Sequence, residues 1–243
     1  MYSHFHHFVQ VDGSATTSSL FWGPFLGAFF AFIFGLITFY YTKKREKFVR
    51  HRNALIKLER LMHEHADELL IAKIHADDTK KIVEANAVTD YRFKLLRLDT
   101  DILMELASID IINKYNFYSR SITRLNEDFA AKNRALTRFE DAKLANRTLA
   151  PESIDYLARS LGEISAAIEG RIDTWMLRLL ATTRIYLRKI DGQNRILCTL
   201  FCTDWDFTIS EDEIQGEIIE LNKGVEKMKQ ETGVNFKKFG TSQ

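Results

Sequence analysis

Leu20–Tyr41, LFWGPFLGAFFAFIFGLITFYY, is the stretch that decides how this chain is organised. No charged residue stands between Asp12 and Lys43. As a helix rising about 1.5 Å per residue, the run reaches about 33 Å, enough to cross the hydrocarbon core of a bilayer. A transmembrane helix is therefore expected over 19–42. Pro24 lies in its first turn, where a missing N–H costs little. Phe21 and Trp22 at one end, and Phe39, Tyr40 and Tyr41 at the other, suit the two aromatic belts.

The flanks of this run differ. The N-terminal side carries Asp12 and no Lys or Arg, whereas the C-terminal side reads TKKREKFVRHR. Basic residues beside a span stay in the cytoplasm. The expectation is a single-pass protein, with 1–18 as a short tail outside and the C-terminal bulk in the cytoplasm. Lys43, Lys44, Arg45, Lys47, Arg50 and Arg52 are the residues expected to meet anionic lipid heads of the inner leaflet, at roughly 1 kcal/mol each. A cleaved signal peptide fits poorly, because there is no basic n-region and the residues after the run are bulky and basic.

Gly23, Gly27, Ala31 and Gly35 recur every four residues. Small residues on one face let helix backbones approach closely in lipid. They are the expected packing face of the span, for self-association or for pairing with another membrane protein.

Lys and Arg total 34 against 33 Asp and Glu, a net charge of +1, which excludes a nucleic-acid binder by bulk electrostatics. With 2 prolines and 11 glycines, the turn clusters that strands need are scarce, and an all-α fold is expected. Cys198 and Cys202 are the only cysteines; without a nearby His or C-x-x-C they read as small buried residues.

Beyond the span, Phe48, Leu55, Leu58, Leu61 or Met62, Leu69 and Ile74 keep a rough helical period to about Asp77. This predicts a basic juxtamembrane stalk helix over 43–79. Residues 80–98 look irregular, with a turn or cap at Thr89-Asp90. A short helix over 101–107 would be capped by Asp99 or Thr100, and Ser108 with Asp110 opens a long amphipathic helix to about Ala145. Pro151 fits the first position of the next helix, which runs through Leu161, Ile168, Trp175 and Leu179 and can break at Asp191-Gly192. Ser210 and Glu213 form a capping box for a last helix that Gly233 would end.

These helices have short connections, so an antiparallel cytoplasmic bundle is expected over 80–233, with the stalk as a possible fourth member and 234–243 a loose tail. Leu125, Phe129, Leu161, Ile168, Trp175 and Leu179 are the expected core. The apolar pattern is not a strict heptad, which favours a bundle over a long two-stranded coiled coil.

Nothing in the sequence assembles a catalytic set. His4, His6 and His7 lack a partner ligand. His63-Glu64-His65 differs from H-E-x-x-H in its offset and reads as a solvated face. Asp99-Thr100-Asp101 reads as helix capping, and Asp204-Trp205-Asp206 has no phosphate cradle beside it. No cofactor, metal or enzymatic activity is expected. The expected function is a membrane-anchored interaction protein: a scaffold, a tether or the membrane part of a sensor or assembly. Its expected partners are membrane lipid, a second copy of itself and a soluble cytoplasmic protein. The alternative is a membrane-damaging effector, of toxin-like or antiviral-defence type, acting through oligomerisation of its span.

Overall fold

A computed structural model of the chain describes residues 17–147, 149–192 and 207–232. Among the described residues there are helices and connections but no strand. The chain divides into two compact units, Met1–Glu46 and Lys47–Gln243, and helix α1 (Thr17–Glu84) contributes to both.

In the first unit, α1 is long and apolar enough to cross a membrane by length and composition. Nearly every side chain from Trp22 to Tyr40 is exposed, including the phenylalanines. The basic end of this stretch folds back on its aromatics: Lys43 Nζ lies 4.7 Å from the Phe39 ring centre, and Lys44 Nζ lies 4.7 Å from that of Tyr40.

The second unit is built on the remainder of α1. Phe48, His51, Leu55, Leu58, Met62, His65, Leu69, Ala72, Ala76, Thr79 and Val83 are all buried. They step alternately by three and four, which keeps one face of a helix turned inward. From Lys47 onward the residues expected as a stalk lie in the same unit and core as those after residue 80. Ile74, expected on the apolar stripe, is exposed, and Ala72 and Ala76 occupy the inward positions. The helix also outruns Asp77. It stops where Asn86 takes φ 56° and Ala87 N–H donates to Ile82 O at 2.9 Å. Asn tolerates this left-handed conformation better than most residues.

Residues 87–99 are an extended strap, clamped by helix α3 (Ile109–Leu144). Asn133 Oδ1 accepts the Phe93 N–H at 2.7 Å while its Nδ2 donates to Phe93 O at 2.8 Å. Asn126 does the same for Leu96, at 2.8 Å in both directions. Seven residues of helix rise about 10.5 Å, and three extended residues span about 10 Å, so the two amides match the two main-chain positions. Phe93 stacks on Phe129 with ring centres 4.9 Å apart.

Helix α2 (Asp101–Glu105) follows the strap. The Asp99 carboxylate accepts the Asp101 N–H at 3.0 Å, whereas Thr100, at the cap position, makes no side-chain cap bond. Ser108 caps α3, and its hydroxyl donates to Tyr186 Oη at 2.8 Å, which donates in turn to Phe207 O at 2.9 Å. Asn146, at φ 50°, closes α3 as Asn86 closes α1.

Helix α4 (Pro151–Arg171) opens on its proline and passes into a π-helical turn, Ile172–Met176, and then helix α5 (Leu177–Gly192). This turn corrects the expected core. Stepping by three and four from Ile168 through Ile172 selects Trp175, but Trp175 is 40% exposed and Met176 is 2% exposed. A π turn holds an extra residue, which moves the inward position along by one. Leu125, Phe129, Leu161, Ile168 and Leu179 lie in the core. Helix α6 (Glu211–Thr232) starts with the capping box: Ser210 N–H donates to Glu213 Oε2 at 2.9 Å, and Glu213 N–H donates to Ser210 Oγ at 3.2 Å. Ala181, Ile185 and Ile214 join α5 to α6 in a small second cluster.

Candidate functional site

Gly23, Gly27, Ala31 and Gly35 lie on the exposed apolar part of α1, and a Cβ built on any of the three glycines meets nothing within 4 Å. Of the basic residues, Lys43, Arg45 and Lys47 are exposed and Lys44 is half-buried. Arg52 is engaged within the second unit. Its guanidinium grips Asp191 at 2.7 and 3.1 Å, and this hydrogen bonding holds its pKa above the usual arginine value. His4, His6, His7, Cys198, Cys202, Asp204, Asp206 and Gly233 lie outside the described residues.

His65 is a second correction. It is not on a solvated face but is 3% exposed. Its Nε2 lies 2.9 Å from Arg97 O, and its Nδ1 lies 2.7 Å from Tyr118 Oη. The carbonyl can only accept, so Nε2 carries the proton and the Tyr118 hydroxyl donates to Nδ1. Burial pushes the imidazole below its ordinary 6.5, opposed by the Arg97 carbonyl. Burial likewise raises the Tyr118 phenol, and pushes Tyr115 up to about 12. These are the conditions of a neutral, satisfied hydrogen-bond chain beneath the strap. His63, two residues away, is exposed and lies 3.0 Å from an Arg184 nitrogen.

Cavities in the second unit gather its charged groups. One, of about 860 Å³, runs between α1 and the strap, with Glu64, Asp67, Glu68, Asp99 and Asp101 facing Lys94 and Arg97. Lys94 pairs with Glu68, and Asp99 is engaged as a cap. Among the described residues no group of three or more His, Cys, Asp or Glu is placed to hold a metal ion.

A second cavity, of about 570 Å³, is walled by α1, α5 and α6. Each of its arginines meets an acid: Arg52 pairs with Asp191, Arg184 with Glu59 at 2.7 Å, and Arg188 with Glu217. Glu217 is 7% exposed and also lies 4.0 Å from Arg184. A third cavity, of about 330 Å³, is lined by Phe117, Arg120, Ser121 and Arg124 of α3 with Arg171 of α4 and Trp175 of the π turn. Sequence periodicity missed this last group, because Trp175 was placed inside.

Set against protein-family models, curated proteins and solved structures, the chain matches none of them.

Proposed function

We propose that this is a single-pass membrane protein, N-terminus outside, whose helices after the span form an antiparallel cytoplasmic bundle that works by binding other proteins. The observation that carries this reading is the exposed apolar run of α1, Trp22 to Tyr40, followed at once by Lys43, Lys44 and Arg45. An apolar run of that length is unfavourable in water and favourable in lipid, and the basic residues bias its orientation. The open face of Gly23, Gly27, Ala31 and Gly35 supports pairing of spans, with Lys43, Lys44, Arg45 and Lys47 meeting the inner leaflet. A well-filled core in the second unit supports a bundle that presents surfaces rather than an open catalytic cleft.

The test is protease protection of a C-terminal epitope in right-side-out and inverted vesicles, with co-purification from gentle detergent. The reading expects the epitope to be cut only in inverted vesicles, and a soluble protein to co-purify in stoichiometric amount. An epitope cut in right-side-out vesicles, or extraction by alkaline carbonate, overturns the topology. Recovery of a homo-oligomer alone, with ion leakage from the cells, overturns the interaction role in favour of the membrane-damaging effector. Gly27→Leu should weaken self-association in a membrane two-hybrid assay.

A further inference from the structure

The cavity of about 330 Å³ stands apart from the others in its chemistry. Phe117, Arg120, Ser121 and Arg124 are spaced i, i+3, i+4 and i+7, so they share one face of α3. Arg171 and Trp175 approach from the neighbouring helix and the π turn. Each wall therefore carries both an aromatic ring and a guanidinium.

The rings form a platform. Phe117 and Trp175 stack with centres 5.7 Å apart and planes 17° from parallel, and they are 54% and 40% exposed. A flat ring entering the cavity would find such a surface already in place. The π turn puts Trp175 there rather than in the core, and π turns are frequent at functional sites.

The cations are fixed or free in a telling division. Arg171 is held: its Nε donates to Ser121 O at 3.2 Å, one terminal nitrogen donates to Ala167 O at 3.1 Å, and the other lies 4.0 Å from Asp128. Arg120 and Arg124 are exposed, one helical turn apart, and make no hydrogen bond or ion pair among the described residues. Like charges at this spacing repel, which an anion between them would reverse. Among the described lining residues there is no carboxylate.

We propose that this cavity binds a nucleotide, its base stacked on the Trp175–Phe117 platform and its phosphates taken by Arg120 and Arg124. Inorganic phosphate or a glycerol phosphate would satisfy the guanidiniums but leave the platform unused. A nucleoside would stack but leave the guanidiniums without an anion. The cavity lies at the small end of the usual range for ligand pockets, which suits one nucleotide rather than a strand. Among the described lining residues not assigned to the phosphates, Arg171 is already held by main-chain carbonyls and Ser121 offers a single hydroxyl, so discrimination between bases is weak. Among the described lining residues there is no carboxylate for Mg²⁺ and no general base, and the role assigned is binding.

The test is isothermal titration of the full chain, in neutral detergent without anionic lipid, with ADP, GDP, adenosine, inorganic phosphate, phosphotyrosine and a short single-stranded RNA. ADP and GDP are expected to bind with similar affinity, and the remaining probes at least about tenfold more weakly. Arg120→Ala and Arg124→Ala should each weaken ADP binding by about tenfold, and Trp175→Leu by a similar factor. These side chains are exposed, so thermal melting of each variant should match the parent and separate lost binding from lost folding. No heat with ADP at millimolar concentration overturns the proposal, as does ADP affinity unchanged in the Arg120→Ala, Arg124→Ala double variant. Phosphate binding as well as ADP reduces the site to an anion hole and also overturns it. Tighter binding of phosphotyrosine or RNA than of ADP overturns it in favour of a phosphopeptide or a nucleic acid.

Discussion

Arg52, Arg184 and Arg188 line one cavity of the second unit, and Arg120, Arg124 and Arg171 line another. In the first, every guanidinium meets a carboxylate, and the pairs join α1, α5 and α6. In the second, Arg171 alone is engaged, by two carbonyl oxygens and a distant carboxylate. The same side chain thus serves two ends. Cancelled charge fastens helices together, and uncancelled charge beside an exposed ring pair is available to something from outside.

That contrast can be broken or sharpened by substitution, read as urea midpoints of the full chain in detergent. The largest effect is expected at the π turn that shapes the second cavity. Met176→Ala empties a core position and should cost about 2–5 kcal/mol, whereas Trp175→Ala next to it should cost less than about 1 kcal/mol. Equal losses would place Trp175 in the core beside Met176 and remove the platform. Glu217→Ala comes next, at about 2 kcal/mol. A buried carboxylate is lost and two guanidiniums are left facing each other, but both arginines retain access to water, which moderates the cost. An unchanged midpoint would mean that the Glu217 pairs do not fasten α6 to α5.

Mild acidification, above the range in which carboxylates take up protons, should act on His65 rather than on the arginine pairs. The folded state holds this imidazole below 6.5, so in that window the unfolded chain binds more protons. Stability should therefore be full above about pH 6.5 and fall as pH drops toward the lowered folded-state value. His65→Gln should flatten that part of a stability–pH curve, and an unaltered slope would assign the loss elsewhere. The smallest effect belongs to Arg120→Ala with Arg124→Ala, expected within about 0.5 kcal/mol of the parent. A larger loss would show these arginines to be structural.

Helix starts were legible wherever a local chemical device marks them. Ser108, Pro151 and the Ser210–Glu213 box each announce their helix within four residues. The inward face of α1 from Phe48 to Val83 was only half legible. His51, His65 and Thr79 fill positions where apolar residues are sought, and the two histidines are buried against distant partners. His51 Nδ1 accepts the Ala107 N–H at 3.0 Å, and His65 has Tyr118 and Arg97. The strap has no period of its own, because its hydrogen bonds go to Asn126 and Asn133 on another element. Trp175 was misplaced because counting by 3.6 carries no knowledge of an extra residue in a turn. The third cavity, formed by that turn, was hidden for the same reason.

The two asparagine amides touch only main-chain atoms of Phe93 and Leu96. Besides the buried side chains of Phe93 and Leu96, what this stretch must preserve is therefore length. Leu95, between the two clamped residues, is exposed and can be exchanged freely, and Lys94 beside it gives up only its surface pair with Glu68. One residue inserted between Asn126 and Asn133 would turn one amide about 100° away from its mate. One inserted between Phe93 and Leu96 would overshoot the second clamp by about 3.3 Å. Helix and strap work as two scales of a ruler, and their related sequences should differ in letters long before they differ in count.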